Sequence, residues 1–323
     1  NRMRDMIPTL MEAKRDFIEW RYSQGYSPST VENDTSAIKH LATVAGWNRP
    51  VSDIHGGHIQ EVLDARRISP STANLRRACF SKFFKYCRAM KYVNPDFDPL
   101  INTRKRPAPK KERRRVHPSD VNTLINGAES QIERIILALG MNLLLRISEV
   151  LDLRVGDVDL SSKRINVRIF KTGDIDSMPM MFELEQELRR HLIWLTTQVG
   201  ELKPDYHLVP GTNGHGKFVP TKAARRPADI IKKGLTRIGW EDVRGEGGHT
   251  LRRTGARLLL MRLEDEGIDR AMRIVQYMLH HKNMAQTEHY LGITSDRQYR
   301  DRVLTGMRFY SEDENVIPIR KAE

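Results

Sequence analysis

Two cysteines in 323 residues, Cys79 and Cys87, are too few for a disulfide framework or a cysteine-rich zinc site. Both fall within one helical pattern and read as buried thiols, which fits a reducing, cytoplasmic setting. Long apolar runs are also missing. The longest near-apolar stretch, 135–145, is too short to cross a bilayer, so no membrane partner is expected. The first 25 residues carry charged side chains and Trp20 in helical order, not the apolar core of a signal peptide. There is no G-x-x-x-x-G-K-[ST] phosphate loop, and no paired-carboxylate metal motif stands out, so no nucleotide or metal cofactor is expected.

Charge and length are what the chain does have. Lys and Arg number 54 against 41 Asp and Glu, a formal net charge of +13. Such an excess points to a polyanionic partner, and nucleic acid ranks ahead of a membrane surface. Hydrophobic residues make up 39%, enough to bury a core, and the length suggests two domains.

The first hundred residues read as helices. Leu10, Met11, Ala13, Phe17 and Ile18 recur with helical spacing up to Gly25. Ser27-Pro28 opens a second helix with Val31, Ile38, Leu41, Ala42 and Ala45 on one side, closed by Gly46. A shorter segment lies near His58 to Arg66. Pro70 starts a long helix with Leu75, Ala78, Cys79, Phe83, Phe84 and Tyr86 as its apolar positions. Four helices make a small bundle over 1–100. The fourth also carries Arg76, Arg77, Lys82, Lys85 and Arg88, either a solvated face or one that meets phosphates. Residues 103–116 then hold eight basic residues, one acid and two prolines, which reads as an interdomain linker spanning 101–117. Its Arg104, Lys105, Arg106, Lys110 and Lys111 could cross a duplex and contact the phosphate backbone without reading sequence.

The remainder is mixed. Helices are expected from Pro118 to about Ala128, through Ile132–Leu143, over Phe182–Gln198 and over Thr221–Ile238, with Lys203–Pro220 as loop. Val158, Leu160, Ile165, Val167 and Ile169 alternate, so a small antiparallel sheet is expected, with Lys171 at a hairpin turn. Arg146 interrupts an apolar stretch, and Ser148 could cap the helix that follows, with Glu149 in its first turn. Two further blocks are Gly248-His249-Thr250-Leu251-Arg252-Arg253-Thr254 and the run from Leu279-His280-His281 to Tyr290. Taken singly, each residue has an ordinary structural explanation.

In order, these motifs are R-x-S-E, a hairpin lysine, H-x-L-R-x-T, then L-x-H with a tyrosine nine residues on. That order resembles the tyrosine site-specific recombinases, the phage integrase family, over nearly the whole chain. The resemblance implies a mainly α fold with a small antiparallel sheet. A helical, SAM-like core-binding domain (1–100) would precede an α+β catalytic domain (118–302), and a tail (303–323) would dock on a neighbouring protomer. It implies Arg146, Lys171, His249, Arg252 and His281 as catalytic residues and Tyr290 as nucleophile. Glu149 would orient Arg146. It further implies a 3′-phosphotyrosyl intermediate formed without ATP or metal, and a double-stranded DNA recombination site as partner. The expected assembly is a homo-oligomer, a dimer per site and a tetramer in synapsis, with a nucleoid-associated cytoplasmic location. A type IB topoisomerase-like enzyme and a non-catalytic DNA-binding protein on the same fold are the alternatives. Three departures stand out: Leu144 and His280 occupy places where the family usually has glycine, and the His249–His281 interval is about six residues longer than in compact members.

Overall fold

The computed structural model describes residues 7–66, 68–108, 114–170, 173–292 and 305, and the chain divides into two compact units at Lys111/Glu112. Lys171, Lys110, Lys111 and all of the 303–323 tail except Thr305 lie outside the described residues.

In the first unit, helices α1 (Leu10–Ser23), α2 (Pro28–Ala45), α3 (Gly56–Asp64) and α4 (Pro70–Ala89) enclose an apolar core. Their starts follow sequence chemistry. Thr9 and Glu12 cap α1 reciprocally, and Ser27 and Ser69 cap α2 and α4 ahead of Pro28 and Pro70. Phe17, Phe80, Phe83 and Phe84 are fully buried. Met11, Leu75 and Ala78, expected inside, are exposed, because the α1 and α4 stripes are narrower than their apolar composition suggests. A buried ion pair, Arg21–Asp34 at 2.8 Å, ties α1 to α2, and the guanidinium stacks 3.5 Å from the centre of the Tyr26 ring.

The start of the basic segment is bound to the first unit. Arg77 donates to the hydroxyl and the carbonyl of Thr103, Asn74 exchanges two hydrogen bonds with the Arg106 backbone, and Arg106 pairs with Asp64. Residues 103–106 are therefore laid along α4. On the far side, Val116 N–H donates to Thr254, and Arg253 donates to the Arg114 carbonyl, so 114–116 belong to the second unit.

The second unit is built around α6 (Gln131–Asn142), which is buried on nearly every side. Around it lie α5 (Pro118–Asn126), α7 (Ile147–Asp152), α8 (Phe182–Val199), α9 (Pro227–Arg237) and α10 (Gly248–Arg262). A three-stranded antiparallel sheet, β1 (Val158–Asp159), β2 (Arg164–Arg168) and β3 (Ile175–Pro179), sends Ile165, Val167 and Met178 into the same core. Helices α11 (Ile268–Met278) and α12 (Met284–Leu291) close a smaller cluster with Leu144 and Leu260. The region read as loop and then helix instead contains a hairpin, β4 (Pro210–Thr212) with β5 (Phe218–Ala223), and α9 begins only at Pro227. β4 has only three residues, and β5 carries Pro220 and no alternation of buried and exposed positions, so neither registers in sequence. Among the described residues no helix is long and apolar enough to cross a membrane.

Glycines set how closely α10 lies on α6 and α7. A Cβ on Gly255 would fall 1.9 Å from the Met141 carbonyl oxygen, and one on Gly248 would fall 2.6 Å from Ile147 Cβ. Gly255→Ala should therefore destabilise the protein by about 3–5 kcal/mol, read as a lowered urea midpoint.

His191 is fully buried on α8. Its Nε2 lies 2.6 Å from the Leu208 carbonyl, so it carries the proton, and burial pushes its pKa down to about 4. A histidine depressed in the folded state contributes stability above its unfolded pKa, and that stability is lost as pH falls. Between about pH 6.5 and 4, roughly 3 kcal/mol should disappear. Urea melts across that window should show the slope in the wild type and a shallower one in His191→Gln.

Candidate active site

The site begins with an arginine at a helix start. Arg146 is the N-cap of α7, and its N–H donates to Glu149 Oε2 at 2.8 Å. Its guanidinium Nη1 meets Glu149 Oε1, also at 2.8 Å. The cap is thus Arg146 with Glu149, and Ser148, expected as the cap, is an exposed residue inside the helix. A carboxylate in the first turn of a helix also faces the positive end of its dipole.

Glu149 reaches a second arginine. Arg252 Nη1, on α10, lies 3.7 Å from Glu149 Oε2. Both side chains are almost completely buried, at 2% and 0% exposure, whereas Arg146 is partly open to solvent. One carboxylate therefore sits between two guanidiniums, a link that sequence reading assigned to Arg146 alone. Burial lowers the Arg252 pKa, and the positive charge of Arg146 adds to that. The Tyr290 oxygen and Glu149 oppose the shift. Arg252 Nη2 donates to the Leu279 carbonyl, while Nη1 has no hydrogen-bond partner among the described residues.

The tyrosine is brought alongside by α12. The Tyr290 hydroxyl donates to the His249 carbonyl in the first turn of α10 at 3.3 Å, and Arg252 Cζ lies 5.9 Å from the Tyr290 ring centre. His281 packs edge-on to the Tyr290 ring at 5.4 Å, with its Nδ1 3.0 Å from Thr287 Oγ1. His280 points elsewhere, toward Asp176 on β3 at 2.9 Å. Of the two adjacent histidines, His281 is therefore the one against the tyrosine. Arg146, Arg252, His281 and Tyr290 converge, and His249 meets them through its backbone carbonyl.

The two residues in the usual glycine places both have left-handed backbone, Leu144 at φ +51° and His280 at φ +49°. That conformation costs a side-chain-bearing residue about 1–2 kcal/mol. Leu144 offsets this by complete burial against Ala256 and Leu260. Between α10 and α11 the chain forms a single-turn 3-10 helix, Glu264–Glu266, within the stretch Arg262 to Met272 expected to absorb the extra length.

Sequence reading missed Thr287, Gln276, Asp176 and Glu246. Thr287 and Gln276 hold His281, the latter by donating to its carbonyl at 3.1 Å. Glu246 accepts from Thr250 at 2.5 Å and pairs with Arg253. Of these, only Thr287, buried three residues before Tyr290, sat within a quoted motif. Among the described residues no three His, Cys, Asp or Glu side chains cluster as a metal site would require.

The candidate DNA-contacting residues divide in two. Lys82, Arg104 and Lys105 are exposed. Arg76, Arg77 and Arg106 are half-buried and bonded within the first unit, Arg76 to the Val62 carbonyl at 3.4 Å.

A family model described as the phage integrase family matches residues 114–297, more than half of the chain and all of the described site. The tyrosine recombinase XerC of Herpetosiphon aurantiacus is 26% identical over 245 residues, covering 73% of each protein. A lambda integrase dimer bound to a COC′ core site superposes with a TM-score of 0.66 at 18% identity, over 89% of this chain and 78% of that one. The Tn1549 transposon integrase, in complex with circular intermediate DNA, gives 0.66 at 16% identity, over 92% and 99%. These structures share the mainly helical architecture with small antiparallel sheets. The chain belongs to the phage integrase family: it is a tyrosine recombinase, an enzyme that breaks and rejoins DNA.

Proposed function

We propose that this recombinase is site-specific and works through a 3′-phosphotyrosyl intermediate, without ATP or metal. One observation carries the reading: the Tyr290 hydroxyl lies at the first turn of α10, beside two arginines that share one buried carboxylate.

Attack on a phosphodiester places growing negative charge on the non-bridging oxygens. Arg146 and Arg252 offer forked N–H donors to that charge, and Arg252 Nη1 is a buried donor that a phosphate oxygen would satisfy. Donors fixed in advance need no reorganisation during the reaction, which is why Glu149 matters. The Arg252 guanidinium beside Tyr290 favours an anion on the tyrosine oxygen. Tyr290 Oη forms the new bond to phosphorus as its proton departs, and the bond from phosphorus to the 5′ oxygen breaks. Lys171 supplies the proton to that leaving oxygen. His249 and His281 bond the phosphate or relay protons. The phosphotyrosyl ester keeps the energy of the broken bond, so a 5′-hydroxyl from another strand reverses the step and releases Tyr290.

The DNA grip is proposed to come from the first unit and the basic segment. Lys82, Arg104, Lys105, Lys110 and Lys111 would meet phosphates directly, while Arg76, Arg77 and Arg106 would also shape that surface. Because the similar lambda integrase structure is a dimer on a core site, two copies per site are proposed here, four in synapsis. The tail at 303–323 would dock on the neighbouring copy. Its role as a mobile-element integrase and its location in the cytoplasm at the nucleoid belong to the same proposal.

The first test uses supercoiled plasmid carrying the DNA that flanks the protein's own gene. Denaturation should leave protein-linked DNA at one site with wild type and none with Tyr290→Phe. Adducts spread over all sequences would instead indicate a topoisomerase-like enzyme, and an adduct surviving the substitution would reject Tyr290. Glu149→Gln keeps a hydrogen bond to Arg146 but loses the charge between the arginines. Adduct formation should then fall by roughly 10- to 100-fold while DNA binding changes little.

A further inference from the structure

His280 is the unusual residue of the site. It adopts left-handed backbone in the turn between α11 and α12, and its side chain is only 16% exposed. A left-handed residue reverses the chain sharply, so His280 and His281 point apart. His281 lies on Tyr290, and His280 Nε2 lies 2.9 Å from Asp176 Oδ2.

Asp176 stands on the outer half of a hairpin. It faces Val167 in the β2–β3 register, and the hairpin closes beyond it through Ile169 N–H to the Asp174 carbonyl and Gly173 N–H to the Ile169 carbonyl, each 2.8 Å. Lys171 falls in sequence between those closing residues. Packing holds the two strands unequally. β2 buries Ile165 and Val167, and Ile169 follows them into the core, whereas Met178 is the one buried residue of β3 and Ile175 is 69% exposed. The outer part of β3 is thus tethered by a polar contact where apolar burial is thin.

We propose that His280 and Asp176 are a positioning pair that clamps the β2–β3 hairpin to the turn bearing His281. The clamp holds the strands that flank Lys171 in sequence, the proposed donor to the leaving 5′ oxygen, while His281 packs on the tyrosine. It rests on the reading of Lys171 as proton donor. The backbone here would suit glycine; with histidine in its place, the turn gains a side chain that reaches the hairpin, and one short turn then registers both halves of the proton chemistry.

Two variants test this. His280→Gly suits the left-handed backbone and removes the imidazole, and Asp176→Asn removes the carboxylate from the other side. On the mapped site, each should slow adduct formation by roughly 10- to 100-fold with unchanged DNA affinity, and the double variant should be no slower than the slower single one. Rescue separates positioning of the acid from general damage. A DNA with sulfur replacing the bridging 5′ oxygen at the scissile phosphate expels a thiolate that needs no proton. On it, both variants should come within about threefold of wild type. Equal losses on both substrates, losses that multiply in the double variant, or no loss would each overturn the clamp. Amide hydrogen exchange of the free protein judges the clamp separately from the reaction. Both variants should exchange faster over 165–179, and unchanged rates there would overturn the clamp even with activity reduced. Absence of any wild-type adduct would count against the phosphotyrosyl reading, with the exchange result still deciding whether the clamp exists.

Discussion

The buried carboxylate of Glu149 is the point on which the site depends. It is fully enclosed, and a bare carboxylate there would be costly. Two guanidiniums and one backbone N–H resolve that cost, and in doing so they become fixed relative to each other. The constraint also works in reverse. Arg252 is almost completely buried, and its charge is tolerable because Glu149 lies near it and the Leu279 carbonyl accepts from it. Two like charges that would otherwise repel are thus held at one place, ready for a third group that is negative.

That arrangement requires α7 and α10 to begin side by side. Gly248 lets α10 start against Ile147, and Gly255 lets the same helix press on the Met141 carbonyl. The close crossing belongs to the core around α6, so the geometry of the arginines follows from the most deeply packed part of the unit. The proposed nucleophile is attached more lightly. Tyr290 rides on the short helix α12, whose neighbours form the smaller cluster with α11 and Leu144. The two arginines therefore rest on the main core, and the tyrosine on a satellite of it.

The two left-handed residues show different solutions to one backbone requirement. Leu144 fills a hydrophobic position, so its strain is offset by burial. His280 keeps a polar side chain and sends it to the hairpin. In both cases the turn geometry is retained while the residue type changes, which is why a motif can depart from its usual glycine and still close the same site.

Much of this was legible in the sequence. Helix starts at Ser27-Pro28 and at Pro70 could be read because capping and proline are local chemistry. The apolar stripes of α2 and α6 follow from periodicity, and the order of Arg146, His249, Arg252, His281 and Tyr290 marked the family. Other features were not local. The β4–β5 hairpin shows no alternation of buried and exposed positions along β5, and residues 103–106 look like a solvated linker until Asn74 and Arg77 on α4 supply their partners. The nine-residue step to Tyr290 already favoured His281 over His280, and His281 is the one against the tyrosine, but that His280 turns to Asp176 on β3 was not legible. That Glu149 serves both arginines was decided by the crossing of helices more than a hundred residues apart in the chain. By itself the sequence determined which reactive groups are present and in what order. Tertiary structure decided which of them share a charge, because Coulomb interaction and hydrogen bonding depend on distance in space, and only the packed core sets that distance.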